Sequence, residues 1–185
     1  MTTSLTSETK SSRILQAVFF ITAMTSISLH NSFALAAVVA PNSVRVLGEV
    51  GRIEDTTLIA GTFTVRPPRR FGISRLEATL GGLTTSEESR SFISFGPVWG
   101  TPITGDAFYF EFGISPTLLG GSSINGSDIG GNFHFTSSAS IGRTFGVTGT
   151  FTLALRVQHT SNGGLSSDNP GIDMVGLNLS MNIWN

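Results

Sequence analysis

From Phe151 to Ser161 the residues alternate without a slip. Phe151, Leu153, Leu155 and Val157 fall on one side, and Thr152, Ala154, Arg156 and Gln158 on the other. A period of two puts successive side chains on opposite faces of an extended strand, so the pattern dictates a β-strand with two unlike faces. Two more stretches do the same. Phe108, Phe110, Phe112 and Ile114 oppose Tyr109, Glu111 and Gly113. Val175, Leu177, Leu179, Met181 and Ile183 oppose Gly176, Asn178, Ser180 and Asn182. After Ala37 no segment keeps a helical period.

Weaker alternation covers Ser43–Gly51, Thr56–Arg66, Phe71–Gly82, Arg90–Val98 and Gly131–Ile141. Pro67-Pro68, Gly81-Gly82, Gly100 to Gly105, Gly120 to Gly131, Gly142 to Gly146 and Ser161 to Gly171 punctuate the strands. The polar faces decide which side meets water. A soluble barrel shows its polar face outside and fills it with Lys, Glu and Asp. Here those faces are mostly Ser, Thr, Asn and Gly, with isolated charges such as Glu77, Glu111 and Arg156, and charged residues are only 12% of the chain. Small polar residues with a few charges able to pair suit the inside of a narrow barrel, with the apolar face toward lipid. The expected fold is therefore all-β, an eight-stranded antiparallel transmembrane β-barrel with strands of about 11 residues. Cys is absent, which removes disulfides, thiolate metal sites and a Cys nucleophile. The formal net charge of -1 leaves no basic footprint for nucleic acid.

Residues 1–36 have the pattern of a secretory signal peptide. Lys10 and Arg13 precede an interrupted apolar run, Ile14 to Leu29, too short for a spanning helix of about 20 residues. Ala34-Leu35-Ala36 follows as a small-x-small cleavage site. Cleavage near Ala36 leaves residues 37–185 as the barrel. A signal peptide ahead of such a barrel implies a bacterial outer membrane.

The apolar stripe of Phe151–Val157 breaks at its next two positions, His159 and Ser161. The stripe of the last strand runs back from Val175 to Asp173. A base, a hydroxyl and an acid thus follow apolar stripes at the joined ends of adjacent strands, where unpaired polar groups next to hydrocarbon are costly. Their chemistry is that of a hydrolytic triad. Serine needs a base, imidazole serves near neutral pH, and a carboxylate fixes the imidazole tautomer. Thr160 faces the opposite side, Asp168 is a rival acid in the connecting loop, His134 is expected in the lumen and His30 in the signal peptide. The C-terminus of such barrels is periplasmic, so His159 and Ser161 lie at the external end. Polar rim residues with no catalytic role account for the same pattern.

His159-Thr160-Ser161-Asn162-Gly163-Gly164-Leu165, followed by Asn169-Pro170-Gly171-Ile172-Asp173, resembles the signature of the outer-membrane lipid A 3-O-deacylases, the PagL family. The resemblance implies a lipid A or lipopolysaccharide substrate in the outer leaflet, and no metal or other cofactor. It also implies Ser161 as nucleophile, His159 as base and Asp173 as orienting acid, where the family usually has Glu. By the same matching, Asn162 and the backbone N–H of Gly164 form the oxyanion hole and Asn169 braces the loop. Two other readings stay open: a non-catalytic structural or adhesive outer-membrane barrel, and a soluble periplasmic lipid carrier.

Overall fold

In the computed structural model, residues 43–51, 56–65, 67, 72–104, 107–146 and 151–182 are described. The expected signal peptide, residues 1–36, lies outside the described residues. Among the described residues ten strands form: β1 (Ser43–Gly51), β2 (Thr57–Val65), β3 (Arg75–Thr84), β4 (Ser89–Thr104), β5 (Phe108–Leu119), β6 (Ser123–Ile124), β7 (Ser127–Asp128), β8 (Phe133–Phe145), β9 (Phe151–Ser161) and β10 (Ile172–Asn182). The order β1-β10-β9-β8-β5-β4-β3-β2 runs round a closed barrel, and β6 and β7 pair with each other. All pairings are antiparallel, and β1 closes the circuit by pairing with both β10 and β2.

Several boundaries differ from those the sequence suggests. Gly81-Gly82 and Gly142, expected to mark turns, lie inside β3 and β8. Gly82 pairs with Ile59 on one side and Ser91 on the other, and Gly142 with Tyr109 and Ala154. Neighbours on both flanks hold the chain extended and offset the entropy that glycine loses. β4 runs on through Gly100, and its register shifts between Pro102 and Thr104, where proline cannot donate to the ladder. β5 likewise continues past Ser115-Pro116 to Leu119. The connection of residues 120–132 contains the short β6–β7 hairpin, which no alternation announced.

The period of two becomes an inside and an outside. Leu155 is 51% exposed and Leu177 57%, and Ile59, Phe63, Leu80, Ile93, Phe95, Ile141, Leu153, Val157 and Val175 are also exposed. A continuous apolar outer face of this extent exceeds what a water-facing surface normally carries. Inward, Thr62 bonds Thr79 at 3.0 Å, and Thr136 bonds both Thr117 and Thr160 at 2.8 Å. Midway, the buried Arg75 binds Glu111 in a bidentate pair and donates to Glu77 at 3.0 Å. Glu77 also accepts from Arg156 at 2.9 Å. Among the described residues, Arg75, Arg156, Glu77 and Glu111 thus form a linked network of opposite charges in a site too dry to hold them singly. The lumen is a packed polar core, as a barrel of this width requires.

At one end the interior turns apolar. Leu58, Leu83, Phe92, Leu119, Ile172 and Met174 from the barrel wall meet Ile124 and Ile129 of the hairpin connection. This end carries the β3–β4, β5–β8 and β9–β10 connections. The start of β1 and the end of β10 lie at the other.

Candidate active site

β9 and β10 pair in the register that sets Asp173 directly across from His159 and Ile172 across from Thr160. Directly opposed residues on one face bring their Cβ atoms to about 5 Å. The alternation that sends Leu155 and Val157 outward sends His159 outward too, and Asp173 follows from Val175 in the same way. Their side chains meet: His159 Nδ1 lies 2.7 Å from Asp173 Oδ1. The pair sits on the outer rim of the barrel, with 49% of the His159 side chain and 65% of that of Asp173 exposed.

Ser161 is the last residue of β9, two positions beyond His159 on the same face, and is half-buried. It pairs with Phe135 of β8. Among the described residues no hydrogen bond joins Ser161 Oγ to His159. Because Nδ1 faces Asp173, Nε2 is the ring nitrogen left for a hydroxyl.

Thr160 points into the lumen, is buried and is bonded to Thr136. His134 is also a buried lumen residue, with Nε2 2.8 Å from the Gly131 carbonyl oxygen. Asp168 is exposed in the loop, and its carboxylate accepts from Ser167 Oγ at 3.3 Å. The acid that meets the imidazole is Asp173.

The loop from Asn162 to Gly171 is organised around Asn162, which is fully buried. Its backbone N–H donates to Asn169 Oδ1 at 3.0 Å. Its Nδ2 donates to the Gly130 and Asp168 carbonyls at 3.2 and 2.8 Å. Its Oδ1 accepts from the Gly164 N–H at 2.9 Å. Every polar atom of the side chain is thus committed, to the loop itself and to Gly130, in the way an Asn caps a tight turn. The resemblance implied Asn162 and Gly164 as oxyanion donors and Asn169 as the brace. In the structure the Asn162 side chain holds the Gly130 and Asp168 carbonyls, and the Gly164 N–H donates to Asn162 Oδ1. Asn169 Oδ1 holds the Asn162 N–H, and among the described residues its Nδ2 has no partner.

Sequence reasoning missed the role of Gly171. Its φ is +70°, and a Cβ there would lie 2.6 Å from His159 Cε1 and 3.3 Å from Nε2. The bare backbone of the loop therefore lies against the imidazole. The residue order Gly171-Ile172-Asp173 held the signal: a glycine two positions before the acid reaches the rim beside the histidine that the acid contacts.

A model of the family described as "Lipid A 3-O-deacylase (PagL)" matches residues 67–182. The chain belongs to that family. The matched residues contain β3 through β10 and the whole site. Among curated proteins, "Lipid A deacylase PagL" of Bordetella bronchiseptica (strain ATCC BAA-588 / NCTC 13252 / RB50) is 38% identical over 74 residues. That stretch is 40% of this chain and 40% of that relative. Among solved structures, the crystal structure of the outer membrane enzyme PagL aligns with a TM-score of 0.60 at 21% identity. The alignment covers 75% of this chain and 99% of that one. The N-terminal β-barrel domain of Pseudomonas aeruginosa OprF aligns with a TM-score of 0.51 at 14% identity, covering 76% of this chain and 96% of the domain. These two likenesses are likenesses of fold.

Proposed function

We propose that this chain is an outer-membrane serine esterase that removes the ester-linked acyl chain at the 3-position of lipid A in the outer leaflet. In this reading residues 1–36 are the export signal and residues 37–185 insert as an eight-stranded barrel, with the β9–β10 loop at the external end. The observation that carries it is the His159–Asp173 pair, 2.7 Å apart on an otherwise apolar outer face, with Ser161 next along the same edge. Membership of the lipid A 3-O-deacylase family supports it.

Asp173 holds the His159 ring with Nδ1 protonated, which leaves Nε2 as the base. Ser161 Oγ attacks the ester carbonyl and its proton passes to Nε2. Contact between hydroxyl and imidazole tightens when substrate is bound. The developing oxyanion is met by Asn169 Nδ2, the loop amide whose oxygen is anchored and whose nitrogen is uncommitted. When the tetrahedral adduct collapses, the proton on Nε2 goes to the departing sugar hydroxyl and the acyl group stays on Ser161. Water, deprotonated by Nε2, then attacks the acyl-enzyme. The fatty acid leaves and the proton returns to Ser161. The acyl chain lies along Val157, Leu155 and Val175 without leaving hydrocarbon. This avoids a desolvation change of about 0.8 kcal/mol per CH₂.

Mass spectrometry of lipid A from Gram-negative cells expressing the full chain tests this. The wild-type chain should make lipid A lighter by one 3-hydroxyacyl group, and Ser161→Ala should not. Unchanged lipid A with a folded, membrane-inserted wild-type protein would point instead to a non-catalytic barrel.

A further inference from the structure

The loop that carries Asn162 and Asn169 does not hold its shape from β9 and β10 alone. It rests on a segment far away in sequence. Gly130, just after the β6–β7 hairpin, accepts a hydrogen bond from Asn162 Nδ2 at 3.2 Å. Its φ is +80°, and a Cβ on it would lie 2.0 Å from Asn162 Nδ2, 2.0 Å from the Asp168 carbonyl oxygen and 3.1 Å from Ser166 Cβ. The backbone of residue 130 therefore lies against the site loop on the side where a Cβ would project. No side chain fits between them.

The hairpin is itself anchored. Ile124 and Ile129 are buried in the apolar cluster that also contains Ile172, the neighbour of both Gly171 and Asp173. Asn125 at its tip donates its N–H to Glu88 Oε1 at 2.7 Å, and its side-chain oxygen accepts from Thr85 Oγ1 at 2.6 Å. Asp128 Oδ1 accepts from the Gly130 N–H at 2.8 Å, which fixes the turn after β7. One side of the contact is thus tied to the β3–β4 turn and the barrel interior. The other is the loop whose amide must meet the oxyanion.

We propose that Gly130 is a positioning residue of the esterase. Through Asn162 it sets where the β9–β10 loop holds Asn169 relative to Ser161, and the β6–β7 hairpin is the strut that keeps it there. The inference rests on the proposed esterase function. It also gives the hairpin, which lies off the barrel circuit, a part in the reaction. Gly130 touches no substrate. Its effect is on the transition state, because an oxyanion donor displaced by about 1 Å loses most of its worth while ground-state binding of a long acyl chain along β9 is unaffected.

The test is steady-state hydrolysis of a long-chain p-nitrophenyl ester and of purified lipid A by the full chain, purified from outer membranes in detergent. Four proteins are compared: wild type, Gly130→Ala, Gly131→Ala and Asn162→Asp. Folding is checked by heat-modifiable gel mobility. Gly131 is the control, because it is also left-handed, at +98°, with nothing within 4 Å of the position a Cβ would take. Gly130→Ala should lower kcat by about a hundredfold with KM little changed, while Gly131→Ala stays near wild type. Asn162→Asp keeps the acceptor for the Gly164 N–H but turns an oxygen toward the two carbonyls that Nδ2 now holds, so it should show the same kcat loss. Equal kcat for Gly130→Ala and Gly131→Ala would overturn the proposal. If Gly130→Ala does not fold, Asn162→Asp decides: a wild-type kcat there overturns it, and a kcat loss at unchanged KM supports it. An inactive wild type would instead sink the esterase reading on which the proposal stands.

Discussion

Glu77→Gln probes what the lumen contributes. Glu77 is 5% exposed. One carboxylate oxygen accepts from Arg75 Nε at 3.3 Å and Nη2 at 3.0 Å, and the other accepts from Arg156 Nη1 at 2.9 Å. Glutamine keeps one acceptor. It also turns an NH₂ toward one of the two guanidiniums, so donor faces donor, and it removes the anion that bridges Arg75 and Arg156. Removing one partner of a buried ion pair costs about 3–5 kcal/mol, and the retained acceptor puts this case near the low end, at about 3 kcal/mol. That is about two orders of magnitude in the folding equilibrium. Urea titration of the barrel in lipid vesicles, followed by tryptophan fluorescence and gel mobility, reads it directly. Glu88→Gln is the comparison. Its pair with Arg90 is 24% and 30% exposed at the two side chains, so its loss should cost less than about 1 kcal/mol. Pairing Glu77→Gln with Arg156→Met removes a cation along with the anion. The two changes should therefore couple, with the double variant less destabilised than the sum of the single ones. A Glu77→Gln cost no larger than that of Glu88→Gln would refute the view that this network is a buried, mutually dependent unit.

Gly171→Ala should keep the barrel folded and lower esterase kcat by about a hundredfold, because a methyl 2.6 Å from His159 Cε1 pushes the ring off Asp173. Gly72→Ala, equally left-handed at +64° with open space around it, should match wild type in the same ester assay. Asp173→Asn should lower kcat by about 10⁴-fold while gel mobility stays that of a folded barrel, and Asp168→Asn should be nearly silent. Asp173→Glu should keep measurable activity, checked by release of fatty acid from lipid A.

The strands that could be read from sequence were those whose two faces differ most. Phe151–Ser161 coincides with β9 because Leu153, Leu155 and Val157 meet one environment and Thr152, Arg156 and Gln158 another. The same parity carried His159 and Asp173 to one face and set Thr160 on the other, while Asp168 stood as a rival acid in the connecting loop. Where both faces are similar, or where the ladder overrides local preference, the pattern fell silent. β8 runs past Gly142 because Tyr109 and Ala154 pair with it on either side, and β4 past Gly100 because Glu111 of β5 pairs with it. Glycine and proline report only what an isolated segment prefers. The β6–β7 hairpin has two residues per strand, too few for any period to show.

The candidate site divides along the same line. The His159–Asp173 contact follows from register on adjacent strands, and register follows from alternation, so it was legible. Which of Asn162 and Asn169 the fold buries was not. Both are loop amides of the same chemistry, separated only by which one the fold buries. One of the groups that holds the buried Asn162 is Gly130, 32 residues before it and joined to it only through space. A motif names the residues a reaction uses, but the one that holds the loop in place can lie outside it. Here it is a glycine in a different connection, whose contribution is the side chain it lacks. Variation in the residues after β7 should therefore change the rate of this site more than variation at exposed loop positions closer to it in sequence, such as Leu165 and Ser167, whose side chains brace nothing comparable.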